Sequence, residues 1–160
     1  MPILLKITTK LSNVMYVCAG VVLTFMMLLT VADVILRYLG RPIAGSYELV
    51  SLCGAVVVGF AIPYTSLVKG HIYVEFLVDK LPKERRGIVL TFTKILMLFM
   101  FVIFGFYLFK IGMDMAASGE VTQILAIPFY PVAYGMGVCC FIECLVMITD
   151  IIRLYEGKYE

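Results

Sequence analysis

The sequence predicts an all-α membrane protein with four transmembrane helices and both termini in the cytoplasm, and three observations carry that prediction. The composition is 62% hydrophobic and only 15% charged over 160 residues, too little polar surface to coat a water-soluble globule. Long uncharged intervals run from Val14 to Ala32, Leu49 to Val68, Ile95 to Phe109 and Val121 to Ile142, and three of them approach the ~20 residues that span a hydrocarbon core of roughly 30 Å. Basic residues are also unevenly placed. With the N-terminus inside, Lys6, Lys10, Lys69, Lys80, Lys83, Arg85, Arg86, Arg153 and Lys158 lie on the cytoplasmic side, against Arg37, Arg41 and Lys110 outside, as the positive-inside rule requires.

The first span covers about 12–36. A basic start holding Lys6 and Lys10 runs into an apolar stretch longer than the core of a signal peptide, with no clear small-residue cleavage site, so the span is expected to stay in the protein. At its outer end Asp33 and Arg37 are four apart, a spacing at which an acid and a base meet on one helix face.

A polar reversal, RYLGRPIAGSYELVS, follows. Pro42 and Gly45 permit the turn and Arg41 and Glu48 flank it. Ser46 reads as an N-cap, with Glu48 near the positive end of the helix dipole. Asp33, Arg37, Arg41 and Glu48 therefore gather at one end of the bundle as a charge cluster that pins the turn.

The second span covers about 47–68. Ser51, Ala55 and Gly59 are spaced by four and form a stripe of small residues that permits close helix approach. Pro63 removes one backbone hydrogen bond and should bend the helix near its inner end. Between spans two and three, residues of about 70–81 place His71, Glu75 and Asp79 every fourth position among apolar neighbours. This pattern predicts an amphipathic segment lying in the membrane interface with a narrow polar stripe in water.

The third span covers about 88–111 when Lys94 is counted inside it, since lysine can reach back to the interface. The fourth covers about 124–152 and carries Glu143. A charge at a helix centre costs about 2.5 to 3.5 kcal/mol on insertion scales, so both need partners. Counted from the span ends, Lys94 and Glu143 lie at similar depth, which predicts that they pair with each other or with a partner subunit at that level.

No chemistry of the chain's own is indicated. The five cysteines fall inside spans without zinc-site spacing and read as small packing residues. A single histidine excludes bis-histidine haem, and no glycine-rich phosphate loop is present. The net charge of +2 reports topology and contact with anionic headgroups and gives no sign of nucleic-acid binding. No cofactor is expected.

Three motifs, RYLGRPIAGSYELV after span one, GHIYVEFLVDKLP after span two and ILAIPFYPVAYGMG entering span four, resemble the small membrane (Q) subunit of tripartite ATP-independent periplasmic (TRAP) transporters, over nearly the whole chain. Glu75 stands where an aspartate is often found, and the loop from Asp114 to Gln123 carries no family pattern. The resemblance implies a multi-pass subunit of a bacterial or archaeal inner membrane. Its partners would be a large membrane subunit, held as a stable heterodimer, and a periplasmic substrate-binding protein, met transiently. It implies sodium-driven import of organic acids such as C4-dicarboxylates or sialic acid, with sodium bound by the large subunit. The small subunit would brace the large subunit's scaffold and help dock the binding protein.

The residues agree with a supporting role, since no internal repeat and no paired mid-span helix breaks of the transporter kind are visible. The Phe-, Tyr- and Met-rich spans offer adaptable surfaces to another membrane protein. The alternatives are a small four-helix exporter, for which a mid-membrane glutamate in span one would be expected, and a purely structural membrane protein.

Overall fold

The first helix, α1 (Pro2–Tyr38), turns one narrow stripe inward. Thr8, Ser12, Met15, Ala19 and Asp33 are buried, and Val22, Met26 and Leu29 are partly buried between them. The steps alternate between four and three, the seam of a helix pair that crosses at a shallow angle. Most of the remaining surface of α1 is exposed apolar side chain, including Val17, Val21, Leu28 and Val34.

The structure is a computed structural model that describes residues 2–68 and 83–155. The other helices are α2 (Ser46–Leu67), α3 (Lys83–Ser118) and α4 (Tyr130–Tyr155). All four are long and apolar enough to cross a membrane. They form a row: α1 packs on α2, α2 on α4, and α4 on α3, with α1 only grazing α4.

Because α4 has a helix on each side, it buries two faces. Ala133, Cys139, Glu143, Cys144, Val146, Met147, Thr149 and Asp150 are all buried, whereas Val138, Leu145 and Ile148 are left out. Helix α3 repeats the pattern of α1, burying Lys94, Gly105 and Gly112 on one seam and exposing Phe92, Phe99 and Phe106, a row at heptad spacing.

Two registers fix the row. Helices α2 and α4 run parallel, with Ser66 and Glu143 in contact across 77 residues, as are Gly59 and Met136, and Glu48 keeps the same spacing to Leu125 in the loop before α4. Helices α3 and α4 run antiparallel, with Gly105 against Phe141 and Gly112 against Tyr134. Glycine lets these helices approach closely: a Cβ on Gly59 would press on the Met136 thioether, and one on Gly137 would lie 2.8 Å from the Phe109 ring.

The element boundaries differ from the sequence expectation at α1, α3 and α4; α3 starts at Lys83 and not at 88, and runs on to Ser118 past 111. Helix α1 begins about ten residues earlier than 12, because Thr8 and Ser12 continue its seam beyond the apolar stretch. Helix α4 begins at Tyr130 and not near 124. Residues 119–129 make a tight loop closed by an antiparallel bridge between Val121 and Pro128, with Ala126 in the left-handed region at φ 52°. Hydropathy cannot separate this loop from the helix, since Val121, Ile124, Leu125 and Ile127 are as apolar as a span. Pro131 sits in the first turn of α4, where its missing N–H has no helical partner to lose. The amphipathic segment of about 70–81, with His71, Glu75 and Asp79, lies outside the described residues.

Candidate functional site

The polar groups of the bundle gather at its two ends, beginning with Asp33 near the end of α1. Arg37 Nη2 donates to Asp33 Oδ2 at 2.8 Å, one turn away on the same helix. The other carboxylate oxygen accepts the Ile43 backbone N–H at 2.9 Å, and the Ser46 hydroxyl lies beside the group. Asp33 therefore holds the α1–α2 turn from within, while Arg37, with 68% of its side chain exposed, covers it from outside.

Ser46 does not act as the N-cap expected from the sequence. Gly45 occupies that place at φ 77° and ψ 9°, and no side chain caps the helix. The Ser46 hydroxyl faces Asp33, so it is unavailable to the amides of its own helix. A Cβ on Gly45 would fall 2.5 Å from Leu125 Cγ, so glycine answers two demands there, a left-handed backbone and close approach of the α3–α4 loop.

Glu48 stands at the same end of the bundle, and its partners are backbone groups of the α3–α4 loop. Its carboxylate accepts the backbone N–H groups of Ile124, at 2.8 Å, and Leu125, at 3.0 Å, whereas Arg41 and Pro42 are exposed. A carboxylate satisfies adjacent backbone donors well because each bond is charge-assisted. Thr122, which the sequence reading passed over, completes the loop. It is buried, its hydroxyl accepts the Ile127 N–H at 3.0 Å, and its own N–H donates to the Ile127 carbonyl at 2.9 Å. A hollow of about 410 Å³ opens beside Glu48 and Thr122, bordered by Tyr47, Ser51 and Phe129.

The opposite end holds the intramembrane charges. Lys94 Nζ donates to Asp150 Oδ2 at 2.9 Å with both side chains almost wholly buried. This corrects the expected pairing of Lys94 with Glu143. In the antiparallel register, Gly105 meets Cys140 and Phe141; eleven residues back along α3 stands Lys94, and eleven residues forward along α4 from that contact lies the neighbourhood of Asp150. Depth counted from the span ends ignores this stagger. Asp150 was legible in principle, being seven residues beyond Glu143 and so on the same face of α4.

Glu143 is fully buried and its Oε1 accepts a hydrogen bond from the Ser66 hydroxyl of α2. Its Oε2 has no hydrogen-bond partner among the described residues. Nothing in a single sequence couples position 66 to position 143, so Ser66 had no signal beyond being a hydroxyl inside a span. Two interhelical polar contacts thus meet one face of α4, Ser66 of α2 with Glu143 and Lys94 of α3 with Asp150.

The small-residue stripe of α2 divides. Gly59 is buried against α4, Ala55 is partly buried and Ser51 is exposed. The tight line toward α4 is Gly59, Pro63 and Ser66, all buried. Cys139 and Cys144 are buried and all five cysteines are free thiols. Among the described residues no group of three or more His, Cys, Asp or Glu is placed to hold a metal ion.

Each of these clusters joins one helix to another or pins a loop to a helix end. A search of curated proteins finds no match for the chain. A family model described as "Tripartite ATP-independent periplasmic transporters, DctQ component" matches residues 26–157.

Proposed function

Because this chain belongs to the DctQ family, the small membrane component of TRAP transporters, we propose that it braces the scaffold of the large transport subunit in a sodium-driven importer of organic acids. The family acts with a large membrane subunit and a periplasmic binding protein in the inner membrane, and it is a family of transport components, not of enzymes.

The observation that best supports bracing is the row order of the helices. A closed four-helix bundle hides one face of every helix equally, but here α1 and α3 sit at the flanks and each buries a single seam. Their outer faces are continuous rows of Val, Leu, Met and Phe, long enough to lie along a large partner through the whole membrane. Such faces give area and adaptable packing, whereas the buried charged groups Asp33, Lys94, Glu143 and Asp150 are already engaged within the chain. The positive-inside count assigns the Asp33 and Glu48 end to the periplasm. There the exposed Arg37 and Arg41, with Tyr47 and the α3–α4 loop, form the rim on which the binding protein would land. The cargo belongs to the class of C4-dicarboxylates or sugar acids such as sialic acid, selected by the other two proteins.

Reconstitution tests this reading. Proteoliposomes holding the large subunit and this chain, with binding protein outside and an inward sodium gradient, should take up the organic acid, and liposomes lacking this chain should not. Uptake by this chain alone, or full-rate uptake by the large subunit without it, would refute the proposal.

A further inference from the structure

A hollow lies along α1 near its Pro2 end, and its described lining comes from this helix alone. It has a volume of about 610 Å³, and its described lining changes character along the helix: Lys6, Thr9, Lys10 and Asn13 come first, then Val14, Val17 and Cys18. Among the described residues no carboxylate forms an ion pair with Lys6 or Lys10, and Val14 and Val17 are more than half exposed.

The depth of this hollow follows from helix length. At 1.5 Å per residue, the 37 residues of α1 extend about 55 Å, well beyond a hydrocarbon core of roughly 30 Å. The Asp33–Arg37 pair marks one boundary, and ~20 residues back from Asp33 the other falls near Asn13. Lys10 and Lys6 then stand about one and two turns beyond, at headgroup level, while Val14, Val17 and Cys18 are level with acyl chains.

We propose that this hollow binds an anionic phospholipid, with its phosphodiester against Lys6, Lys10 and Asn13 and an acyl chain along Val14, Val17 and Cys18. The order of charges, then amide, then apolar side chains along one helix face matches an amphiphile with an anionic head. A soluble anion would leave the apolar half uncovered, and a partner helix would have to bury two lysines or supply carboxylates for them. Under the topology proposed above, the lipid belongs to the cytoplasmic leaflet, where anionic headgroups are enriched.

The complex of this chain with its large subunit, stripped of lipid in detergent and titrated under native mass spectrometry, tests the site. Phosphatidylglycerol should be retained over phosphatidylcholine by about 30-fold, which is ~1 kcal/mol for each of two lysines at ~1.4 kcal/mol per decade. The double variant Lys6→Gln/Lys10→Gln should bring the two lipids near parity, and Lys110→Gln, on α3 toward the far end, should leave the preference intact. Equal retention by the unaltered complex, or a preference that survives in the double variant, would overturn the proposal. So would an inorganic phosphate adduct lost in the double variant, which would point to a soluble anion. A photoreactive residue at Val14 should label lipid, whereas a crosslink to the large subunit would show that protein fills the hollow. Detergent carries no orientation, so these outcomes are independent of the topology and of the cargo.

Discussion

Lys94 on α3 and Asp150 on α4 form an ion pair, with Nζ 2.9 Å from Oδ2 and 1% and 7% of the two side chains exposed. Such a pair adds little over two well-packed apolar residues, but removing one partner strands a buried charge at a cost of about 3–5 kcal/mol. Lys94→Met or Asp150→Leu alone should therefore sharply lower the thermal stability of the chain in detergent. The double variant Lys94→Met/Asp150→Leu should recover most of the loss. A double variant no more stable than either single one would show that the pair is not the element at stake.

Ser66 and Glu143 join α2 to α4 through a buried hydrogen bond. Ser66→Ala takes the donor from a buried carboxyl group and should destabilise by about 1–3 kcal/mol. Glu143→Gln keeps an acceptor for Ser66 in the same place, so assembly with the large subunit and sodium-driven uptake should both persist. Normal assembly with lost uptake in Glu143→Gln would instead make Glu143 a proton carrier, a role that the bracing reading does not allow.

These two contacts show what a single sequence holds and what it withholds. The four helices were legible because apolar length is a local property, and the Asp33–Arg37 pair because its partners share one turn. The Lys94 partner was not, since it depends on the stagger between α3 and α4, which is set by where glycines at 105, 112 and 137 let aromatic rings approach. The partners of Glu48 were hidden for a related reason. Its place in the first turn of α2 was legible, but the two backbone N–H groups it accepts come from the folded α3–α4 loop, 76 and 77 residues away. The start of α4 was obscured because its preceding loop is itself apolar.

Packing of α3 on α4 should depend on Gly137 and not on Gly135. A Cβ at 137 meets the Phe109 ring at 2.8 Å, whereas nothing lies within 4 Å of one at 135. Gly137→Ala should therefore cost about 1–3 kcal/mol through forced repacking. Gly135→Ala should be neutral or stabilising, by roughly 0.5–1 kcal/mol of helix propensity. Thermal unfolding of the two variants in the same detergent decides the matter, and equal destabilisation would mean that the contact at Phe109 does not set the approach.

Gly45→Ala should disturb the Asp33 and Glu48 end of the bundle in particular. It places a Cβ on a residue at φ 77° and drives it into Leu125, so the backbone strain, of order 1–3 kcal/mol, and the clash act together. Gly40→Ala shares the positive φ but has open space around it, and so isolates the strain. Limited proteolysis in the 119–129 loop should rise in Gly45→Ala and stay near the parent level in Gly40→Ala. Equal cleavage of both would remove the Leu125 contact from the account.

Asp33 and Arg37 should separate in their effects although they share one ion pair. Arg37 is mostly exposed, and exposed pairs contribute little, so Arg37→Ala should reduce co-purification with the large subunit by less than about fivefold. Asp33→Ala removes the acceptor of the Ile43 N–H as well as the arginine partner, freeing the turn that positions Gly45 and the start of α2, and should impair assembly more. Asp33→Asn, which keeps an oxygen for Ile43, should fall between them. If Arg37→Ala abolished stimulation by the binding protein while assembly stayed normal, Arg37 would be a recognition residue, and the rim would be a docking surface as well as a pinned turn. If Arg37→Ala instead proved as damaging to assembly as Asp33→Ala, the exposed guanidinium would have to be gripping the large subunit, and the partner face of α1 would extend to its Tyr38 end.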